Sequence, residues 1–205
     1  MALHLVEHPL AGKILTDLRD ETTQTSQFRE LGKRLAYLLL MEATRGLQTK
    51  QKKVKTPLAS FNGTDLGQSI VVVPILRAGL AMLQPAVEML QNVSIGYIGM
   101  ERDAAATART YYCKLPNLKG KFVILLDPII ATGQSAEQAL EMIAKQEPDG
   151  VVMVSMVVSP DGIRRLENSF PRIPIYAVAM DERLDEHKFV VPGLGDFGDR
   201  AYGTK

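Results

Sequence analysis

The segment VILLDPIIATGQSA, residues 123–136, decides the fold class. Its first four residues are aliphatic and run into Asp127 and Pro128, and small polar residues then lead into an alanine-rich helical pattern. A strand that is apolar at every position is typical of a parallel sheet covered on both faces. The segment therefore predicts a buried strand, a turn and a helix of an α/β fold.

The rest of the chain repeats this alternation of aliphatic strands and helices. We predict strands at SIVVVPIL (69–76), KFVILLD (121–127), VVMVSMVVS (151–159) and PIYAVAMD (174–181), with a hairpin arm between SIGYIGM (94–100) and RTYYCKLP (109–116). Helices are predicted over 28–47, with Thr25 or Ser26 as N-cap, after the strand at 69–76, over 135–145 and over 161–169. KQKKVK (50–55) is interpreted as a solvated connector and 190–205 as a loop-like tail.

Composition narrows the class of protein. A length of 205 residues, without a visible linker or repeat, indicates one domain over 1–205. The net charge of +1 gives no reason to expect nucleic acid or an anionic membrane as a partner. A single cysteine excludes an internal disulfide and favours a reducing, cytoplasmic location, and no apolar run reaches the roughly 18–20 residues of a membrane helix.

Charged residues follow several of the predicted strands. Arg77 and Arg102 lie just beyond strands, Asp127 and Asp181 each end a strand, and Asp196 lies in the glycine-rich tail. In open α/β sheets, ligands bind outside the carboxyl ends of the strands. We therefore expect these side chains to meet at one edge of the sheet, while for Asp181 a structural cap remains an alternative to a role in the pocket.

The loop 131–135 is a candidate phosphate site. Its backbone N–H groups precede a helix, where they are unpaired and where the helix dipole favours an anion, and Thr132 and Ser135 add hydroxyl donors. The spacing of a P-loop and of GxGxxG is absent, which excludes the usual ATPase and dinucleotide fingerprints. A tight turn that binds nothing is the alternative, and the alternatives for Arg77 and Arg102 are solvated surface charges.

Four motifs in order carry a family resemblance. PILRAGL (74–80), YYCKLP (111–116), LLDPIIATGQSA (125–136) and VVPGLGDFGDR (190–200) resemble those of the uracil phosphoribosyltransferases, a branch of the type I phosphoribosyltransferases. Residues 28–47 and the final YGTK are similar to the family as well, so the resemblance covers nearly the whole chain. It implies a parallel α/β core with a β-hairpin arm and a C-terminal hood.

The resemblance also implies a reaction and its partners. The family transfers phosphoribosyl from 5-phosphoribosyl 1-diphosphate (PRPP) to N1 of uracil, which forms UMP and diphosphate. The expected cofactor is Mg²⁺ carried by PRPP, with no direct protein ligand and with Asp196 acting through water. A homodimer or larger homo-oligomer is expected, and GTP is left open as an effector.

The residue roles are carried over on the matching motifs. Asp127, Arg102 and Asp196 are expected to contribute to catalysis, and uracil is expected at Val190, Gly195, Asp196 and Phe197. The residues expected to bind PRPP are Arg77, Arg102, Asp127, Pro128, Ile129, Ile130, Ala131, Thr132, Gly133, Gln134, Ser135 and Asp196.

Three features depart from the family pattern. Gln134 and Phe197 stand where small residues are usual, and the arm RDAAATART (102–110) has few acids. A ring at 197 that pointed into the pocket would narrow the uracil site. Two alternatives therefore stay open: a PRPP-binding homologue that uses another base, and a nucleotide-sensing RNA-binding regulator with the same fold.

Overall fold

The computed structural model of the chain describes residues 3–102 and 108–204, with the backbone alone described at positions 102 and 108. The helices are α1 (Pro9–Arg19), α2 (Thr25–Ala43), α3 (Leu80–Leu90), α4 (Gln134–Ala144), α5 (Pro160–Ser169) and α6 (Phe197–Tyr202). The strands are β1 (Leu3–Leu5), β2 (Thr49–Lys55), β3 (Ser60–Leu66), β4 (Ser69–Leu76), β5 (Ser94–Ile95), β6 (Tyr97–Arg102), β7 (Ala108–Lys114), β8 (Lys121–Leu126), β9 (Ile129–Ile130), β10 (Gly150–Val154), β11 (Val157–Val158), β12 (Ile175–Ala177), β13 (Ala179–Met180), β14 (Arg183–Leu184) and β15 (Val190–Val191).

The predicted α/β fold is confirmed by the central sheet. Its strand order is β1-β12-β10-β8-β4-β6-β7, and β5 pairs with β4. Every pair is parallel except β6 with β7, which forms the predicted antiparallel arm. Helices cover both faces, as the continuous aliphatic strands require.

Strand β8 shows why the opening segment is aliphatic throughout. Ile124 and Leu126 pack into the core formed with α1, α2, α3 and α6, whereas Val123 and Leu125 pack into the core formed with α4 and α5. Successive side chains of a strand point to opposite faces, so a strand between two helical layers needs apolar residues at every position. This places the end of β8, and with it Asp127, at the middle of the sheet edge.

Several predicted boundaries were wrong. Helix α2 ends at Ala43, and neither Thr25 nor Ser26 caps it, because both lie inside the helix and the N-cap residue Gln24 makes no side-chain capping bond. Residues 50–55 are not a connector but belong to β2, which pairs with β3 in an exposed hairpin. The tail contains the short helix α6, and α1 was not predicted.

None of the described helices combines the length and the apolar character that crossing a lipid bilayer requires.

Candidate active site

A cavity of about 400 Å³ opens at the carboxyl ends of β4, β6 and β8. Nearly all the residues singled out in the sequence for binding line it, namely Arg77, Asp127, Ile129, Ile130, Ala131, Thr132, Gly133, Gln134, Ser135, Val190, Gly195, Asp196 and Phe197. Pro128 is buried and does not line the cavity. The prediction for Arg102 concerns a side chain outside the described residues, as does that for the arm at 103–107.

The loop 131–135 is built to keep its backbone open. Gly133 has φ +76°, a left-handed conformation that favours glycine, and it is the N-cap residue of α4. A Cβ at this position would also lie 2.8 Å from the Gly162 carbonyl oxygen. The Gln134 N–H points toward Thr132 Oγ1 at 3.4 Å, so the loop turns tightly into the helix. Glycine is therefore a steric requirement at position 133.

Ser159 holds this loop in place through a hydrogen bond that the sequence did not indicate. Its buried hydroxyl donates to the Ala131 carbonyl oxygen at 2.5 Å and accepts from the Gly162 N–H at 3.0 Å. The same residue is the N-cap of α5. An N-cap serine before Pro160 is visible in the sequence, but its contact with a loop 28 positions earlier is a tertiary feature.

Helices α4 and α5, which flank the loop, are joined by Glu137. Its carboxylate accepts hydrogen bonds from Ser169 at 2.5 Å and from Arg165 at 2.8 Å. The bond from Ser169 and then the bond from Arg165 lower the pKa of Glu137, and the carboxylate is therefore ionised at neutral pH. The pair holds the start of α4 against α5.

Arg77 lines the cavity just beyond β4. Its guanidinium donates to Asp199 Oδ1 at 3.2 Å and to Thr204 Oγ1 at 3.5 Å, while 54% of the side chain stays exposed. Tyr202 donates its hydroxyl to the Arg77 carbonyl oxygen at 3.3 Å. Burial raises the pKa of Tyr202 and outweighs the opposing effect of Arg77, so the phenol keeps the proton that it donates. Arg77 is thus tied to the tail rather than being a free surface charge.

The tail is capped and packed rather than loop-like. Asp196 is the N-cap residue of α6 and accepts from the Asp199 N–H at 2.9 Å. The ring of Phe197 is buried against Phe28 of α2, with 5.0 Å between ring centroids, and Gly32 leaves room for it. The large residue at 197 therefore packs its ring into the core against Phe28.

Arginine side chains anchor this tail to the body. Arg200 donates to the carbonyl oxygens of Leu18 at 2.6 Å, Leu194 at 3.0 Å and Asp20 at 2.5 Å, and its guanidinium lies 4.3 Å from the centroid of the Phe28 ring. Partial burial lowers the pKa of Arg200, but arginine remains charged at any physiological pH. The carbonyl oxygens thus satisfy a half-buried cation.

Asp181 belongs to the same scaffold and not to the cavity. It pairs with Arg19 through two bonds of 2.8 and 2.6 Å and accepts from the Gly193 N–H at 2.8 Å. Arg19 also donates to the Gly193 carbonyl oxygen at 2.8 Å. Of the two roles left open by the sequence, the structural one is correct, because the buried carboxylate fixes the turn beside Val190.

Nine lining residues were not among the predicted binding residues: Ile75, Leu76, Ala78, Met100, Glu101, Ala136, Lys188, Phe189 and Gly198. Glu101 and Met100 end β6, next to the predicted Arg102, and Lys188 and Phe189 precede the predicted Val190. Adjacency along the chain was the available signal for each of them.

The acidic residues of the cavity fit a metal ion brought by a substrate. Carboxylates of Glu101, Asp127 and Asp196 line it, but within residues 3–102 and 108–204 no three potential metal ligands are grouped closely enough to form a cage. Mg²⁺ commonly keeps several waters and binds substrate phosphates with one or two carboxylates. The donor set therefore suits Mg²⁺ held mainly by a phosphorylated ligand.

Comparison with solved structures defines the class of fold. A hypoxanthine-guanine phosphoribosyltransferase from Bacillus anthracis superposes with a TM-score of 0.51 over 74% of this chain and 80% of that chain, at 15% identity. A protein from Aquifex aeolicus superposes with a TM-score of 0.95 over 99% of both chains, at 36% identity. The fold is that of the type I phosphoribosyltransferases.

Comparison of sequences defines the family. The model of the uracil phosphoribosyltransferase family matches residues 5–204. Uracil phosphoribosyltransferases from Malacoplasma penetrans and Streptomyces avermitilis are 41% and 42% identical, covering 97% and 100% of this chain and 98% and 99% of their own lengths. The chain therefore belongs to the uracil phosphoribosyltransferase family and is a glycosyltransferase. These relatives do not favour the RNA-binding regulator or the homologue with another base.

Proposed function

We propose that this chain transfers the phosphoribosyl group of PRPP to N1 of uracil, which yields UMP and diphosphate. Family membership supports the reaction. The observation that carries its location is the convergence of the loop 131–135, Arg77 and the tail segment 195–197 on one cavity. These three segments lie far apart in sequence and match three different parts of the substrates.

In this proposal the phosphate end of PRPP binds at the loop. The N–H groups of 131–135 and the hydroxyls of Thr132 and Ser135 would hold the 5-phosphate, as helix N-termini commonly do. Asp127, just beyond β8, would accept hydrogen bonds from the ribose hydroxyls. Packing of the loop on Ser159 and Gly162 supports this role, because a preformed cradle avoids an ordering cost on binding.

Arg77 would bind the diphosphate together with Arg102 from the arm. A guanidinium forks onto phosphate oxygens through two parallel bonds. In the free protein Asp199 and Thr204 accept these bonds, so the substrate would replace them. The Arg77 guanidinium would thus be paired both before and after PRPP binds, and Asp199 would orient it in the free protein.

Uracil would bind between β15 and the start of α6. Val190, Gly195, Asp196 and Phe197 line that part of the cavity, and backbone groups would supply much of the recognition. The buried ring of Phe197 supports this, because a base read by backbone atoms does not need a small side chain at that position.

The chain would act mainly by positioning and by stabilising charge. As the bond from C1 of the ribose to the diphosphate breaks, its electron pair leaves with the diphosphate, and the sugar becomes positive. N1 of uracil forms the new bond to C1, and its proton is released to water. Arg77 and Arg102 would stabilise the leaving group. Asp196 would help to hold, through water, the Mg²⁺ carried by PRPP, which would supply further positive charge there.

The reaction is tested by incubating the protein with PRPP, Mg²⁺ and a panel of bases that contains uracil, cytosine, adenine and hypoxanthine. UMP and diphosphate should form from uracil alone. An Arg77→Gln variant should be slower by about 100-fold, because a phosphate clamp is lost. Arg45→Gln, a matched change of an exposed arginine just beyond the C-terminal end of α2, should be as active as the wild type.

A preparation that binds PRPP measurably but makes no UMP would contradict the proposal. Formation of another nucleotide in preference to UMP would do so as well, and it would point to the base site rather than to the phosphate loop.

We also propose a homodimer or larger homo-oligomer, supported by the β2–β3 hairpin. Strand β2 is exposed along its whole length and β3 over about half of its length, and Leu58 at the tip is 96% exposed, with Phe61 at 59% and Val54 at 40%. An isolated two-stranded hairpin is marginal in water, and exposed apolar side chains of this size favour a partner surface. A second copy of the chain is the proposed partner.

We make three further proposals, on domain organisation, location and regulation. Two helical layers packed on one sheet support a single domain over residues 1–205, for which calorimetry should give one unfolding transition. A cytoplasmic location follows from the lone cysteine and is tested by fractionation of cells. Activation by GTP rests on the resemblance and is tested by UMP formation with and without GTP.

A further inference from the structure

Lys188 lies between two cavities. A second cavity, of about 630 Å³, is formed beside α5, where Arg164 and Arg165 line it. Lys188 and Thr132 line both this cavity and the proposed active site. They therefore form the ridge between the two, which brings a lysine side chain to the rim of the phosphate loop.

Lys188 forms no ion pair with any residue that the structure describes, unlike Arg164 and Arg165 in the second cavity. Arg164 pairs with Asp161 at 3.1 Å, and Arg165 pairs with Glu137 at 2.8 Å. Among the residues that the structure describes, Lys188 has no carboxylate partner, and its side chain is exposed. An ammonium on a flexible four-carbon stem can turn toward an anion at this rim without first giving up an ion pair.

The backbone conformation at Lys188 favours glycine over lysine. Its φ is +66°, in the left-handed region where glycine is preferred. The turn is held by the Lys188 N–H donating to the Asp185 carbonyl oxygen at 3.1 Å and by the Phe189 N–H donating to Asp185 Oδ1 at 2.8 Å. A non-glycine residue kept in a disfavoured conformation beside a binding cavity is a candidate for a side chain with a function.

We infer that Lys188 is an additional ligand of the 5-phosphate group that PRPP and UMP share, bound from the side opposite the N–H groups of the loop. The inference rests on the proposed function, and it assigns a substrate-binding role to a residue that the motifs did not indicate. The ammonium adds a positive charge where the loop itself supplies only backbone dipoles and hydroxyls.

The test compares Lys188→Gly and Lys188→Gln with the wild type by titration calorimetry. Both variants should bind PRPP and UMP about fivefold to tenfold more weakly, the loss expected for one exposed charge-assisted bond to phosphate. The Kd of diphosphate and the KM of uracil should stay unchanged. Lys188→Gly should unfold at the same or a higher temperature, since glycine suits φ +66°, and a loss of binding could not then come from a damaged fold.

Arg183→Gln is the matched control. Arg183 is an exposed cation on β14, near Lys188 in sequence, and it lines neither cavity. This variant should bind both ligands as the wild type does, which separates a direct contact from the general effect of one positive charge.

Unchanged Kd values for PRPP and UMP in both Lys188 variants would overturn the inference. So would weaker binding of PRPP and diphosphate with unchanged binding of UMP, because that pattern places the ammonium on the diphosphate. Failure of the proposed function is distinguishable: a wild-type protein that binds neither PRPP nor UMP contradicts that function itself.

Discussion

Phe197 shows how one residue can depart from a motif without disturbing the site. Sequence alone left two directions for its ring, into the pocket or away from it. The structure buries the ring against Phe28, and the missing side chain at Gly32 provides the space. Helix α2 thus accommodates the large side chain at 197. Because α2 is distant in sequence, the motif itself does not reveal this.

A Phe197→Ala variant tests this reading. Removing a buried phenylalanine ring should lower the free energy of unfolding by about 3–5 kcal/mol, because a cavity remains in the core. Uracil turnover should not increase, since the ring does not block the base. Denaturant unfolding and steady-state kinetics measure the two effects, and Met41→Ala, at a position 62% exposed, should change stability by less than about 0.5 kcal/mol.

A variant that unfolds like the wild type and gains uracil activity would show instead that the ring occupies the pocket.

Other single residues differ in whether the neighbouring sequence reveals their role. Gly133 and Thr132 could be identified from the sequence, because small polar residues between a strand and a helix are themselves the pattern that predicts a phosphate site. Ser159 could not, because its bond to Ala131 joins positions 28 apart. Lys188 could not either, since its significance comes from the ridge that it forms with Thr132.

At the scale of elements, the strongly apolar strands were predicted, whereas β2, α1 and α6 were missed. The aliphatic runs that became β4, β8 and β10 carry a strong signal, because burial on both faces forbids polar residues. Strand β2 reads TKQKKVK and has no apolar face of its own, so its composition is that of a connector. Helix α6 was hidden by the glycines around it, although Asp196 is a good N-cap residue.

The hairpin β2–β3 is the element for which we predict an interface between copies. Replacing Leu58 and Phe61 together by serine should shift the protein to a smaller species in sedimentation velocity, because the apolar contacts between subunits are lost. Lys53→Ser on the same hairpin, at an exposed position, is the control and should leave the distribution unchanged. A wild-type protein that sediments as a monomer would contradict the proposed assembly.

At the scale of the whole molecule, the topology explains why separate motifs form one site. Parallel strands present their carboxyl ends at the same edge, and the order β8-β4-β6 brings Asp127, Arg77 and the start of the arm side by side. At this edge, Arg19 and Arg200 tie the tail to the rest of the chain. The edge could be predicted from the sequence, whereas these anchors depend on packing between distant segments.

The central claim is that the phosphate binds at 131–135 and the base at the tail, on opposite sides of Asp127. A crystal structure of the protein with UMP tests it most directly. The account predicts phosphate oxygens within hydrogen-bonding distance of the N–H groups of 131–135, and uracil against Val190 and Gly195 with the Phe197 ring still packed on Phe28. Phosphate bound away from this loop, or the ring of Phe197 turned into the base site, would contradict the account.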